Sequence, residues 1–322
     1  MPRLTVPDAE AMLDVEIPVL DKGFVRLVDY LGGDERIVQA ARVSYGKGTK
    51  TFRQDRGLIH YLIRNAHTSP IEQVQLTFHC KMPVFVARQW VRHRTARLNE
   101  ISGRYSEMKD EFYVPAAEHI RPQSKDNKQG RSEERYSEEE EREIIRRFES
   151  EQAQAYAGYR DLLTRNLARE LARNNLPLSL YTEWYWQIDL HNLFHFLRLR
   201  MDAHAQYEIR VYAEAMARCA RAVAPIAYEA FEEHVLGAVS FGKAECEALS
   251  DLLAGREVRL EGRALTIFEE KLDKVRQSEP APPAEEPALE LAESEGLHVA
   301  ALNGGTTVPK NSAARTPDLK RS

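Results

Sequence analysis

The sequence predicts an α+β protein in which a small, mostly antiparallel sheet packs with several long helices. Three observations carry this expectation. Residues 74–82 alternate, with Val74, Leu76, Phe78, Cys80 and Met82 set against Gln73, Gln75, Thr77, His79 and Lys81, the period of two of a half-buried strand. Phe148, Gln152, Tyr156, Tyr159, Leu163, Leu167 and Leu171 trace one side of a long amphipathic helix until Asn174-Asn175-Leu176-Pro177 stops it. Strand-like and helix-like segments also follow each other without the regular alternation of a doubly wound fold.

The elements are expected in this order. Pro83 ends the first strand, and 84 to about 96 reads as a helix with Val84, Ala87 and Val91 inward. On it Arg88 and Arg92 are four apart, and Gln89 precedes Arg92 by three and His93 by four, so these side chains share a face. Phe112-Tyr113-Val114 before Pro115 suggests another strand, and the long helix follows. Residues 180–188 are aromatic-rich and strand-like. Asp189 then reads as the N-cap of a helix with Leu190, Leu193, Phe194 and Leu197 on its apolar stripe. The opposite side carries His191, His195 and Arg198, with Arg200 at the end. Residues 205 to about 235 continue as helix.

Composition narrows the function. The 322 residues suffice for one large or two modest domains. A net charge of -5 and a pI near 6.1 argue against a dedicated nucleic-acid binder. Cys80, Cys219 and Cys246 show no paired spacing, so neither a disulfide framework nor a thiolate metal site is expected. There is no signal-peptide pattern before Asp21 and no apolar run of membrane-spanning length, so we expect a soluble cytoplasmic protein. Residues 121–143 are charged and nearly devoid of aliphatics, and read as a surface insertion or the solvated start of a helix. From about 277 to 322 the chain turns to Pro, Ala, Glu, Ser and Gly, the composition of a disordered tail.

The chemistry concentrates in Arg92-His93-Arg94-Thr95-Ala96-Arg97-Leu98-Asn99-Glu100-Ile101-Ser102-Gly103-Arg104-Tyr105. Clustered guanidinium forks beside Ser and Gly suit a phosphate, although a basic cluster can equally be a solvated face. In an acidic chain a local basic site favours a small anionic ligand over a polymer; the competing reading is a phosphate- or nucleic-acid-binding module that uses the 88–104 stripe. His191 and His195 have the spacing of a zinc helix, but Asn192 stands where the metalloprotease Glu would be and no other ligand completes a set, so no metal site is expected. Ser102 reads as a ligand contact; a hydrolase reading would need His93 to approach it as base. Cys80 belongs to the apolar face of its strand.

These motifs resemble a known family. Arg-His-Arg, a seven-residue gap and Ser102-Gly103-Arg104-Tyr105 are similar to the signature of flavin-dependent thymidylate synthases. The resemblance runs from about Gly23 to Val235. It includes His67-Thr68-Ser69-Pro70-Ile71-Glu72, Ala87-Arg88-Gln89-Trp90, Leu176-Pro177-Leu178-Ser179-Leu180-Tyr181-Thr182, and 197–208 from Leu197-Arg198-Leu199-Arg200 to Ala205-Gln206-Tyr207-Glu208. It implies a catalytic domain over 1–247, a helical extension over 248–276 and the tail beyond. It also implies FAD as cofactor, NADPH as reductant, methylenetetrahydrofolate as carbon donor to dUMP, and an obligate oligomer, a homotetramer whose active sites draw on several subunits. No nucleic-acid or membrane partner is implied.

Carried over residue by residue, the resemblance implies that Ser69, Arg92, His93, Arg94 and Glu100 contact FAD, together with the segment Asp189, Leu190, His191 and His195. It implies that Gln89, Trp90, Val91, Arg92, Glu100, Ile101, Ser102, Gly103, Arg104, Arg173 and Arg200 bind dUMP. Arg200 is the implied catalytic residue, a fixed cation that favours ionisation of uracil N3. Two departures stand out: Arg97 replaces a Ser that many members carry, and Asp189-Leu190-His191 with His195 replaces an Asn-x-Arg with a later Asn.

Overall fold

The computed structural model describes residues 4–43, 52–125 and 129–277, so the tail expected from 277 lies outside the described residues apart from Gln277. The chain divides into two compact units at Phe241/Gly242, a few residues before the expected boundary at 247. The first unit contains α1 (Pro7–Glu10), β1 (Glu16–Val19), β2 (Gly23–Leu31), α2 (Asp34–Ala41), α3 (Phe52–Arg64), β3 (Gln75–Pro83), α4 (Val84–Trp90) and β4 (Arg97–Glu100). It continues with α5 (Glu138–Thr164), α6 (Arg169–Ala172), β5 (Tyr181–Asp189), α7 (Leu190–Arg200), α8 (Tyr207–Val223), α9 (Pro225–Phe231) and a π-helical turn, Glu232–Leu236. The second unit pairs α10 (Lys243–Leu253) with α11 (Gly262–Gln277), where Lys271 Nζ meets Glu245 Oε1 at 2.6 Å.

The strands form one sheet in the order β1-β2-β3-β5-β4, with every neighbouring pair antiparallel. The architecture is therefore α+β, with helices on a small antiparallel sheet. β3 and β5 form its centre and pair Leu76 with Ile188 and Phe78 with Trp186. Their inward side chains meet α4, α7 and α8 in an aromatic cluster around Trp90, which stacks on Phe196 and contacts Trp184, Trp186 and Tyr212. The Tyr212 hydroxyl donates to the Lys81 carbonyl at 2.7 Å, directly over Gly23. A Cβ at Gly23 would lie 2.0 Å from that hydroxyl, so only glycine lets the β2 backbone approach α8 there. No helix among the described residues is long and apolar enough to cross a membrane.

Several elements depart from expectation, each for a local reason. α4 stops at Trp90, not near 96, because a turn closed by His93 N–H on the Trp90 carbonyl (3.0 Å) redirects the chain. Residues 97–100, expected in the loop after that helix, instead become edge strand β4 on β5. Residues 112–114 make only the single bridge Phe112↔Leu180, since Pro115 offers no further donor. The long helix starts at Glu138 under a Ser137/Glu140 capping box and ends at Thr164, not 171. Asn166 takes φ 61°, and Leu167 N–H reaches back to the Leu162 carbonyl at 3.0 Å, the left-handed stop that Asn tolerates. The helix expected over 205–235 breaks at Pro225, which has no N–H to donate. Asp34 caps the restarted α9 by accepting from Ile226 N (2.8 Å) and Ala227 N (2.9 Å), and burial raises its carboxyl to about 6.

Candidate active site

The signature begins where α4 ends and meets the last turn of α7. Arg200 Nε donates to His93 Nε2 at 3.0 Å, and its Nη2 donates to the Gln89 carbonyl at 3.3 Å. For His93 to accept, its imidazole must be neutral. Burial, then the charge of Arg200, then His195, lower its pKa to about 4. Edge contact with Phe196 (centroids 4.9 Å apart) fixes the ring. Desolvation and the nearby Arg92 lower the pKa of Arg200, yet a guanidinium keeps its charge throughout the ordinary range.

Around this pair lies an open cavity of about 850 Å³ walled by Arg88, Gln89, Arg92, Arg94 and Arg200, with 204–206 opposite. Among the described residues that line it there is no carboxylate. Four guanidinium groups share this lining, a composition suited to an anion. Gln89 Nε2 donates to Gln206 Oε1, and Gln206 Nε2 donates to Glu208 Oε2 at 2.9 Å. Glu208, 1% exposed, also accepts from Tyr113 Oη (3.0 Å) and Arg131 Nη2 (2.5 Å). Burial pushes its carboxyl up, but the Arg131 hydrogen bond and charge and the Gln206 amide outweigh it, leaving a net lowered pKa.

A second, smaller groove of about 260 Å³ lies between the end of α3 and α7. Leu62, Ile71 and Phe194 supply apolar walls, and His67, Thr68, His191, His195 and Arg198 supply polar groups. Burial, then Arg198, then His191 hold the His195 pKa down. His93 stands 6.0 Å from His195, ring to ring, so it adjoins both Arg200 and this second set. Ser69 sits exposed in the preceding turn and does not line the groove. Asp189 is the N-cap of α7, accepting from Asn192 N at 2.9 Å and Asn192 Nδ2 at 2.7 Å.

The rest of the signature is built differently. Glu100, on β4, accepts from Thr182 Oγ1 at 2.6 Å, and Ile101 N–H bonds to the Glu183 carbonyl at 2.9 Å. Ser102 Oγ accepts from Arg104 N at 3.3 Å, and Arg104 meets Glu170 only at the surface, at 3.6 Å. Gly103 packs under Arg173: a Cβ there would lie 3.2 Å from Arg173 Cδ and 2.8 Å from Met108 Sδ. None of Glu100, Ile101, Ser102, Gly103, Arg104 or Arg173 lines the cavity of Arg200. Trp90 and Leu190 are fully buried, so any ligand contact of theirs runs through the main chain; the Leu190 N–H is already spent on the Val74 carbonyl. Val91 is half-buried against the core.

The hydrolase alternative loses its geometry. No hydrogen bond joins Ser102 to His93 among the described residues, and the His93 acceptor is occupied by Arg200. Among the described residues, the group of three or more ligand atoms close enough to share a cation is His60, Glu233 and His234. The sequence reading also missed contributors. Gln129 of the charged segment lines the cavity and Arg131 pairs with Glu208, so that segment does more than cover surface. No periodicity marks these two; Gln206 and Glu208 fall inside the 197–208 segment that carries the resemblance, with no local signal of their contacts.

The model of the family described as thymidylate synthase complementing protein matches residues 26–226, and that of the ThyX C-terminal domain matches 239–278. A flavin-dependent thymidylate synthase of Treponema denticola is 62% identical over 265 residues, 82% of this chain and 100% of its own length. The Thermus thermophilus synthase is 58% identical over 237 residues, 74% of this chain and 86% of its own. The chain belongs to the flavin-dependent thymidylate synthase family. The crystal structure of a UMP/dUMP methylase from Streptomyces cacaoi bound with 5-Br dUMP matches with a TM-score of 0.61 at 35% identity, covering 67% of this chain and 97% of that one. As a member of this family the chain is an enzyme, and its four-arginine cavity has the chemistry a nucleotide phosphate needs.

Proposed function

We propose that this enzyme converts dUMP to dTMP with FAD as cofactor, methylenetetrahydrofolate as carbon donor and NADPH as reductant, in the cytoplasm. The observation that carries the reading is Arg200, held between His93 Nε2 and the Gln89 carbonyl beside Arg92 in a cavity with no carboxylate among its described lining residues. Gln89 and Arg92 bind and orient the nucleotide, and Arg94 of the same cavity serves the flavin. A fixed guanidinium at the uracil edge favours loss of the N3 proton, which raises electron density at C5, the atom that takes up the one-carbon unit and gives up its proton. His93 stays neutral and keeps the Arg200 fork from swinging away.

The chain's residues also fit a flavin dinucleotide. A groove with apolar walls and a rim of His67, His191, His195 and Arg198 adjoins the cationic cavity, which suits an aromatic ring system joined to a pyrophosphate. FAD, when bound, supplies the hydride chemistry that the side chains lack. Ser69 and Asp189 flank this groove; Glu100 lies away from it, on β4 against Thr182. The second half of the signature, Ser102, Gly103 and Arg104 with Arg173, completes the dUMP site from another copy in a homotetramer. Exposed Leu98, Ile101, Tyr105, Leu178 and Tyr185, on the β4–β5 edge and its flanks, support that assembly.

Release of tritium from C5-labelled dUMP, with and without folate and reductant, tests the reading. A yellow protein that releases label only with both is expected; a colourless preparation that FAD cannot reconstitute, or no release, overturns it.

A further inference from the structure

We propose that His60, Glu233 and His234 form a binding site for one divalent transition-metal ion of the zinc class, distinct from the nucleotide cavity, with Glu229 orienting His60.

The site forms where α3 meets the π-helical turn that follows α9. That turn is closed by Gly237 N–H on the Glu232 carbonyl at 2.8 Å. Such turns admit an extra residue and recur at functional sites. Here the turn carries Glu233 and His234 to His60 of α3. His60 Nδ1 lies 3.1 Å from His234 Nε2 and 3.3 Å from Glu233 Oε2, and His234 Nε2 lies 3.8 Å from Glu233 Oε1. Zinc–nitrogen bonds of about 2.0–2.1 Å give a tetrahedral ligand set edges of about 3.3 Å. The two separations from His60 Nδ1 match edges of such a tetrahedron; the His234–Glu233 edge, 3.8 Å and through the other carboxylate oxygen, needs a rotation of the exposed Glu233 head to close it.

The hydrogen-bond inventory points the same way. His60 and His234 have side chains only 13% and 14% exposed. His60 Nε2 is buried without a hydrogen-bond partner and faces Glu229 Oε2 at 3.9 Å. A proton on Nε2 suits that carboxylate, which leaves the Nδ1 lone pair aimed at another imidazole nitrogen and at a carboxylate oxygen. His234 Nε2 then either donates a proton to that lone pair or shares a cation with it; the Glu233 oxygen at 3.3 Å meets an unprotonated Nδ1 in the first case and the cation in the second. The Glu229–His60 arrangement then becomes the carboxylate that orients a metal-bound histidine. Glu229 is itself anchored by Arg56 Nε at 3.2 Å. Glu233 is 59% exposed, leaving water access to a fourth position.

Two imidazoles and one carboxylate select zinc-class ions over magnesium or calcium, which demand more oxygen ligands. The position gives the ion a mechanical role. Leu62 and Ile63 of α3 and Val235 of the turn line the groove beside His195, so a bound ion braces two of its walls.

Equilibrium dialysis of the full-length, chelator-treated protein against Zn²⁺ in excess Mg²⁺, with metal per chain read by mass spectrometry, tests the site. About one zinc per chain is expected, together with a rise in thermal midpoint on adding Zn²⁺. H60A/H234A loses both, and Glu229→Gln weakens binding roughly tenfold. Cys246→Ser retains both, since Cys246 is exposed and outside the cluster. H60Q and H234Q serve where the alanine variants misfold. Wild-type protein that stays metal-free in excess Zn²⁺, or undiminished zinc in the double variant, overturns the proposal in favour of a proton shared between the two imidazoles.

Discussion

The two ends of the signature are built on opposite principles. At Arg92-His93-Arg94 the two arginines are exposed, but His93 is half-buried and the groups beside it are held by partners from distant elements: Arg200 on His93, Gln89 on Gln206, and Gln206 on Glu208. At Ser102-Gly103-Arg104 the polar groups bond mainly within their own loop, and Arg104 has only a surface contact with Glu170. The His93–Arg200 pair is held by the chain itself; Ser102 and Arg104 have no buried partner among the described residues. Preorganised charge is what a transition state rewards, whereas flexible contacts serve ground-state binding. On the proposed reading, the first end serves chemistry and the second affinity.

Replacing Arg200 breaks the first end most directly. Arg200→Ala is expected to lower dTMP formation by about 10³-fold, roughly 4 kcal/mol of transition-state stabilisation, with flavin still bound. Absorbance of the purified variant together with single-turnover dTMP formation checks both halves. Loss of flavin would move Arg200 into the cofactor site.

His93 sharpens the same end, because it acts through Arg200. His93→Phe keeps the ring's packing on Phe196 but removes the acceptor, and a fall of about 10²-fold in kcat is expected; His93→Gln, which can still accept, restores about tenfold of it. The pH dependence has a definite sign. The folded pKa of about 4 lies below the ordinary 6.5, so as pH falls the unfolded chain takes up this proton first. The stability held by neutral His93 is therefore complete above about 6.5 and is lost progressively towards about 4. Denaturant titrations across that window should show a shallower slope in His93→Gln; an unchanged slope would mean that the wild-type imidazole is not held neutral.

The difference between the ends also shows what was legible in the sequence. β3, β5 and the Asp189-capped α7 were readable because each carries a clean period and a boundary residue. β2 was not: a bulge between Leu27 and Asp29 shifts the register, so Val25, Leu27 and Tyr30 point inward and the alternation is broken. Edge strand β4 was missed because all four residues are exposed and carry no apolar face. Arg92, His93 and Arg200 could be named from motif resemblance, but the bond between His93 and Arg200 spans 107 positions and has no local signature. Arg131 was hidden for the same reason: only Glu208, on α8, gives that charged stretch a buried partner.

That partner allows a test of how far the first end depends on its scaffold. Arg131→Ala leaves Glu208, 1% exposed, with Tyr113 and Gln206 but no counter-charge. Because the Arg131 side chain is itself 35% exposed, we expect a loss of about 1–3 kcal/mol, below the range for a wholly buried pair. For a domain of this size that lowers the thermal midpoint by roughly 2–4 °C per kcal/mol. The loss should grow where Glu208 is ionised and shrink as acid protonates it. A small fall in kcat should follow, since Gln206 positions Gln89.

The smallest effects belong to the second end. Ser102→Ala and Arg104→Ala each remove a contact that, on the reading above, is made equally with bound substrate and with the transition state. Such contacts raise KM and leave kcat nearly alone. We expect KM for dUMP to rise about tenfold for Arg104→Ala and less for Ser102→Ala, whose hydroxyl must first release the Arg104 N–H. Steady-state kinetics at saturating folate separate the two constants. If kcat falls for Arg104→Ala as steeply as for Arg200→Ala, the loop is ordered before substrate binds, held by contacts that a single chain does not provide. The contrast between the two ends would then belong to the isolated chain, and the assembled enzyme would hold both ends alike.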